Sequence, residues 1–184
     1  MISYFTHFFV IYFVVSSTDA IETSLPNCCP SGWSMIPKGT KCLYFSSKQL
    51  SWFDAARYCK KFDAQLASVH SDRESETIKR LTPNELLNTG IWLGGVTTNP
   101  AYGAKQDWYW FDLTPFNYDN FGNDEPSNSK TSCTDRGLPD TSQSCLQIMN
   151  IRNFGMNWDD ECCSEKRPFI CEKRPSLYDC TGGK

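Results

Sequence analysis

The run Cys145-Leu146-Gln147-Ile148-Met149, continued by Trp158-Asp159-Asp160-Glu161-Cys162-Cys163 and closed by Phe169-Ile170-Cys171, decides how this chain folds. Four of the chain's ten cysteines fall there. An even count behind an apolar leader reads as disulfides rather than free thiols. Trp158-Asp159-Asp160 stands just before the paired cysteines, and Glu125-Pro126-Ser127 stands one loop upstream. Crosslinks that draw two short acidic motifs together make a place for a hard cation, because carboxylate oxygens are the ligands such ions take. The expectation is a binding site at the mouth of a secreted domain.

At the N-terminus, Phe5 to Val15 is an apolar run long enough for the h-region of a signal peptide and too short to span a bilayer. Ser16-Ser17-Thr18-Asp19-Ala20 supplies the small residues of a cleavage site, with Ala20 at the cut. Residues 1–20 are therefore expected to be a signal peptide and 21–184 a single secreted, extracellular domain without a stable membrane anchor. Cleavage removes one acid, Asp19, and no base, which takes the formal net charge from −3 to −2. A near-neutral chain without a basic patch argues against nucleic acid as a partner. Apolar residues make up 40% of the chain and aromatic ones 14%, ample for one core.

Between these ends the pattern is mixed. Trp33 to Ile36 and Cys42 to Phe45 flank Pro37-Lys38-Gly39-Thr40 and read as a hairpin. Ser51 caps a helix whose Trp52, Ala55, Ala56, Cys59 and Phe62 share one face. Ser71-Asp72-Arg73-Glu74 is a capping box that opens a more polar helix ending near Pro83. Ile91 to Val96 reads as a buried strand and Trp108 to Phe111 as another. Short strands also fit Cys145 to Met149, Asn157-Trp158 and Phe169 to Glu172. The polar stretch from Thr114 to Ser144 is too long for an ordinary connection, and its Glu-Pro motif marks it as functional.

Taken in order, these pieces resemble the C-type lectin-like domain from roughly Cys29 to Cys171. The resemblance rests on Cys29-Pro30-Ser31-Gly32-Trp33 with Cys42, the helix carrying Cys59, and Gln65-Leu66-Ala67-Ser68-Val69. It continues through Trp92-Leu93-Gly94, Asn120-Phe121, Glu125-Pro126-Ser127, Cys145, Trp158-Asp159-Asp160, Cys163 and Cys171. It implies an α+β, C-type lectin-like fold with two helices, small antiparallel sheets and a long loop region that carries the ligand site, braced by disulfides.

Ten cysteines allow about 945 pairings, so counting alone fixes none. The resemblance implies Cys59–Cys171, Cys145–Cys163 and Cys29–Cys42. Of the four left, Cys28 and Cys180 lie at the chain ends that the first and last strands should bring together, which leaves Cys133 with Cys162. A zinc site on Cys28-Cys29 or Cys162-Cys163 has the wrong spacing and the wrong compartment.

In sugar-binding members of the family, the same side chains hold Ca2+ and hydrogen-bond a sugar's vicinal hydroxyls. Carried over by position, the metal and carbohydrate ligands are Glu125, Ser127, Gln143, Asp159 and Asp160, with Pro126 cis and the Asp160 carbonyl contributing. The chain departs from the family motif at three points. Ser127 stands where mannose-type sites have Asn, Gln143 where a Glu is usual, and Asp159 where an Asn is usual. Three carboxylates remain, so the site is altered without being dismantled. The family's auxiliary calcium site is unsupported, because no acid lies between Ile91 and Gln106.

Other chemistries fare worse. His70 is the only histidine after the leader, which leaves almost no room for a Ser-His-Asp or Cys-His catalytic set. Asp119 with Glu125 has the makings of a glycosidase pair, but a solvated loop is the simpler reading. The run Trp108-Tyr109-Trp110-Phe111 and the residues Met149 and Met156 are most simply core. No Asn-x-Ser/Thr acceptor occurs. The expected function is therefore a non-enzymatic, calcium-dependent binder of host or microbial glycans. The alternative is a calcium-independent domain of the same fold that binds a protein or another non-sugar surface. No coiled-coil or collagen-like segment occurs, so any self-association would be direct.

Overall fold

The computed structural model describes residues 28–36, 40–150 and 155–180. The leader and the hairpin turn at Pro37-Lys38-Gly39 lie outside the described residues. β1 (Ser34–Met35) and β2 (Cys42–Leu50) pair antiparallel, as the hairpin reading requires. The order continues with α1 (Trp52–Lys60), β3 (Gln65–Leu66), α2 (Asp72–Leu81), β4 (Ile91–Thr97) and β5 (Trp108–Trp110). It closes with α3 (Lys130–Asp135), β6 (Cys145–Asn150), β7 (Met156–Glu161), β8 (Arg167–Lys173) and a last helical turn, α4 (Leu177–Cys180).

The strands form one path, β1-β2-β8-β4-β6-β7, with β3 on β8 and β5 on β4. The small antiparallel sheets expected from the resemblance are thus joined, through a parallel contact of Trp92 on β4 with Phe169 on β8. Both residues are fully buried, so this junction sits inside the core. β4 is buried at every position because it is covered on both faces. Trp92 belongs to the cluster with Trp52, Ala55 and Cys59 of α1, whereas Ile91 and Leu93 belong to the cluster with Leu146, Ile148 and Trp158. Gly94 and Gly95 follow from that crowding. A Cβ at Gly94 would lie 2.7 Å from the Leu66 carbonyl oxygen, and one at Gly95 would lie 2.5 Å from Leu146 Cδ2.

Both helices begin where their caps predict. The Ser51 hydroxyl accepts the Asp54 N–H at 3.3 Å, and the Ser71 hydroxyl accepts the Glu74 N–H at 3.4 Å. α1 ends at Lys60, so Phe62 is not on its face. Phe62 is 43% exposed and leans on Trp33, Tyr44 and Tyr58 instead. The Glu74 carboxylate takes the His70 N–H in place of the Ser71 N–H of a reciprocal box; it also accepts the Ser71 hydroxyl at 3.5 Å and pairs with Lys41. All five disulfides are as expected: Cys28–Cys180, Cys29–Cys42, Cys59–Cys171, Cys133–Cys162 and Cys145–Cys163.

Candidate functional site

β7 builds the site. One of its sides pairs with β6, placing Asp159 opposite Gln147 and Asp160 opposite Leu146. Its other side carries the long loop. The Trp158 N–H donates to the Asn120 carbonyl at 2.7 Å, and the Gly122 N–H donates to the Trp158 carbonyl at 2.9 Å. Around the fully buried Trp158 ring sit Phe116, Tyr118 and Phe121, with centroids 5.5, 5.4 and 5.6 Å away. A polar loop is thus moored by the few aromatics it contains. From Gly122 a turn brings the Glu125 N–H onto the Gly122 carbonyl at 3.1 Å, and the cis Glu125–Pro126 bond follows.

The mooring sets Glu125 beside Asp159 and Asp160, with carboxylate oxygens of all three within 4.8 Å of one another. Burial, then the neighbouring charges, pushes the Glu125 carboxyl up to about 8. Asp159 and Asp160 are raised as well, chiefly by burial. Three crowded carboxylates offer the charge and the oxygen donors that a hard divalent cation takes.

Around them the loop folds inward. Asp160 is fully buried; its Oδ1 accepts the Ser127 N–H at 2.6 Å and its Oδ2 the Asn128 N–H at 2.7 Å. Glu125 Oε2 also accepts the Ser127 N–H, at 2.7 Å. Ser127 therefore meets the carboxylates through its main chain, while its hydroxyl turns to Gln143 Oε1 at 3.4 Å. That same Gln143 oxygen accepts the Ser129 N–H at 2.8 Å, so the amide holds the loop. Of the five expected residues, Glu125, Asp159 and Asp160 converge by their oxygens, and Ser127 and Gln143 line the loop beside them. Sequence reasoning missed Gln147, which is 2% exposed and donates to Asp159 Oδ2 at 2.8 Å. Its place opposite Asp159 on β6 was the available signal.

A second clamp lies behind the cluster. Glu161 is buried and paired with both Arg136, just past α3, and Arg167 on β8. Burial alone would raise its carboxyl, but the Arg136 guanidinium, the Cys162 N–H and the Arg167 guanidinium together outweigh burial and hold it below the ordinary range. With Cys133–Cys162, whose Cα atoms are 5.8 Å apart, this pair fixes α3 against β7. The double variant Cys133→Ser, Cys162→Ser is expected to fold with its other four bridges and to bind any cation or ligand of this site several-fold more weakly, because the freed loop must then be ordered on binding. Calorimetry that finds an unchanged affinity would remove the bridge from any role at the site.

The remaining candidates have other duties. Asp119 bonds Lys105 at 2.9 Å and the Phe121 N–H at 2.9 Å, so it braces the loop rather than pairing with Glu125. His70 Nε2 lies 3.1 Å from Ser68 Oγ, but Ser68 is 2% exposed, and its hydroxyl is held by Lys41 and Glu172. A hydroxyl so enclosed is no nucleophile for an external substrate. Of the aromatic run, Trp108 and Trp110 are core, whereas Tyr109 and Phe111 are 39% and 50% exposed, as alternation along a strand requires. Met156 is buried in the core.

An α+β domain, crosslinked five times and carrying a three-carboxylate cluster where a moored loop meets strand β7, defines a class of binding protein. The lectin C-type domain family matches residues 48–173, and the chain belongs to that family. A mannose-binding isoform of a C-type lectin from Oxyuranus scutellatus is 29% identical over 150 residues, covering 80% of this chain and 84% of the relative. A type-2 ice-structuring protein from Hemitripterus americanus is 30% identical over 159 residues, covering 85% and 82%. The solved structure of a calcium-independent type II antifreeze protein superposes with a TM-score of 0.62 at 26% identity, covering 82% of this chain and 98% of that one. These are binding proteins, and the chain is not an enzyme.

Proposed function

We propose that this chain is a secreted protein that binds glycans through a calcium ion held by Glu125, Asp159 and Asp160. The observation that carries the reading is the convergence of Glu125 from the loop with Asp159 and Asp160 from β7, the loop backbone being already folded around Asp160. Such a donor set suits a hard cation that prefers six to eight oxygens, and paired sugar hydroxyls would fill the outward positions. The apolar leader and the five disulfides support an extracellular setting. Among the described residues no helix is long and apolar enough to cross a membrane.

The raised carboxyls fix the sign of the pH dependence. Without an ion, the folded chain holds more protons than the unfolded one from the ordinary carboxylate range near pH 4 up to about 8, the value to which Glu125 is pushed. Stability in chelator therefore falls as pH rises across that window. Calcium displaces those protons, so the stabilisation it confers should grow over the same range. Melting curves with calcium and with chelator, at about pH 5 and about pH 8, check this. A larger calcium shift at the higher pH is expected. A shift that is equal at both, or absent at both, would count against the site.

A second reading is favoured by one observation. Both oxygens of Asp160 are already occupied by loop N–H groups, so the loop closes on its own backbone. A domain built that way could present a calcium-independent surface to a non-sugar target, as the similarity to a calcium-independent antifreeze protein suggests. Ligand binding that persists in chelator separates the two.

A further inference from the structure

Asn128 follows the Glu125-Pro126-Ser127 motif directly, and three features set it apart. Its φ is 44°, in the left-handed region that asparagine tolerates better than most residues. Its main-chain N–H donates to Asp160 Oδ2 at 2.7 Å, which fixes the residue against the most deeply buried carboxylate of the cluster. Its side-chain Oδ1 is sealed from solvent and has no donor among the described residues.

The third feature is the unusual one. A buried carbonyl oxygen left without a partner costs about 1–3 kcal/mol. The polar groups next to it are all engaged: the Ser127 N–H, the Ser129 N–H, the Gln143 amide oxygen and both Asp160 oxygens. Asn128 Oδ1 is the buried side-chain oxygen of this loop that no donor among the described residues reaches, and it belongs to a residue tied to the cation cluster.

We propose that Asn128 Oδ1 is the neutral oxygen ligand of the cation site, in the role that position would give to Ser127. This rests on the calcium reading above. Ser127 reaches the carboxylates by its N–H, which cannot ligate a cation, and its hydroxyl is turned toward Gln143. The Gln143 amide spans the Ser129 N–H on one side and the Glu161 carboxylate on the other. Calcium sites are completed by amide carbonyls alongside carboxylates. The uncommitted amide oxygen of Asn128 is the group in the loop that meets that need.

The test is calcium calorimetry on the full disulfide-bonded chain and its variants, with melting temperatures in chelator as the second readout. Asn128→Gly keeps the left-handed backbone and deletes the amide. It should lose at least about tenfold in calcium affinity, the lower end of what groups supporting a metal site contribute. It should melt in chelator no lower than the native chain. Asn128→Asp restores an oxygen and should recover binding, while Ser127→Ala should change affinity by less than about threefold. If Asn128→Gly binds calcium as the native chain does, or Ser127→Ala suffers the larger loss, the assignment is wrong. If Asn128→Gly and Asn128→Asp both lose binding and both melt lower in chelator, the amide is structural and the assignment is again wrong. A native chain that binds no calcium overturns the calcium reading, and this assignment with it.

Discussion

Asp160→Asn should abolish calcium binding at ion concentrations that saturate the native chain, while the fold survives. Asp160 is fully buried and lies at the heart of the three-carboxylate cluster. The substitution preserves shape but removes one of three negative charges and a ligand that calcium favours. Even groups that only support a metal site contribute about 10–100-fold in affinity, so the loss of a ligand carboxylate should reach at least the upper end. Stability should change little by comparison. One loop N–H faces an amide nitrogen in the variant and loses its acceptor, costing about 1–3 kcal/mol. Relief of repulsion among buried like charges offsets part of that, and five disulfides hold the frame. Calorimetry for the ion and melting in chelator for the fold check both halves. Native-like calcium affinity in the variant would remove Asp160 from the site.

Trp158→Ala should cost about 3–5 kcal/mol of stability, the range for a fully buried Trp. The ring touches Trp110 as well as the three loop aromatics Phe116, Tyr118 and Phe121. Its removal therefore opens a cavity and unmoors the loop together. Calcium affinity should fall with stability, although Trp158 offers the ion no oxygen. Trp158→Phe should cost much less, because the indole Nε1–H is buried without a partner and losing it forfeits no hydrogen bond. Denaturant unfolding under non-reducing conditions measures both variants. An alanine variant as stable as the phenylalanine one would show that the ring is not the anchor.

These two residues show what could be read from the chain and what could not. Asp160 and Trp158 belong to a local motif, and local signals carried most of the architecture. Ser51 and Ser71 mark helix starts by chemistry that needs only the next three residues. The uninterrupted apolar run of β4 marks a strand covered on both faces. α3 was not legible. It lies in a polar stretch and is held by Cys162 and Glu161, contacts that exist only once β7 is in place. β7 itself runs from Met156 to Glu161, longer than Asn157-Trp158, because β6 supplies a partner along its whole length.

The site divides the same way. Glu125, Asp159 and Asp160 were identifiable from their motifs. The parts played by Ser127, Gln143 and Asn128 depend on which way a folded loop turns its N–H groups, and residue type does not encode that. Lys41 is a further case. It lies 2.9 Å from Glu172 and 3.3 Å from Glu74, a partly buried charge cluster assembled from three separate segments. Glu172 is pushed up to about 7, burial outweighing the nearby ammonium group.

The proposed function stands or falls with glycan binding through a calcium ion at the Glu125, Asp159 and Asp160 cluster. A glycan array probed with the native chain in calcium, again in chelator, and with Asp160→Asn in calcium tests it most directly. Binding is expected in the first condition and in neither of the other two. Glycan binding that survives both the chelator and the Asp160→Asn substitution would contradict it, as would a native chain that binds no glycan in calcium.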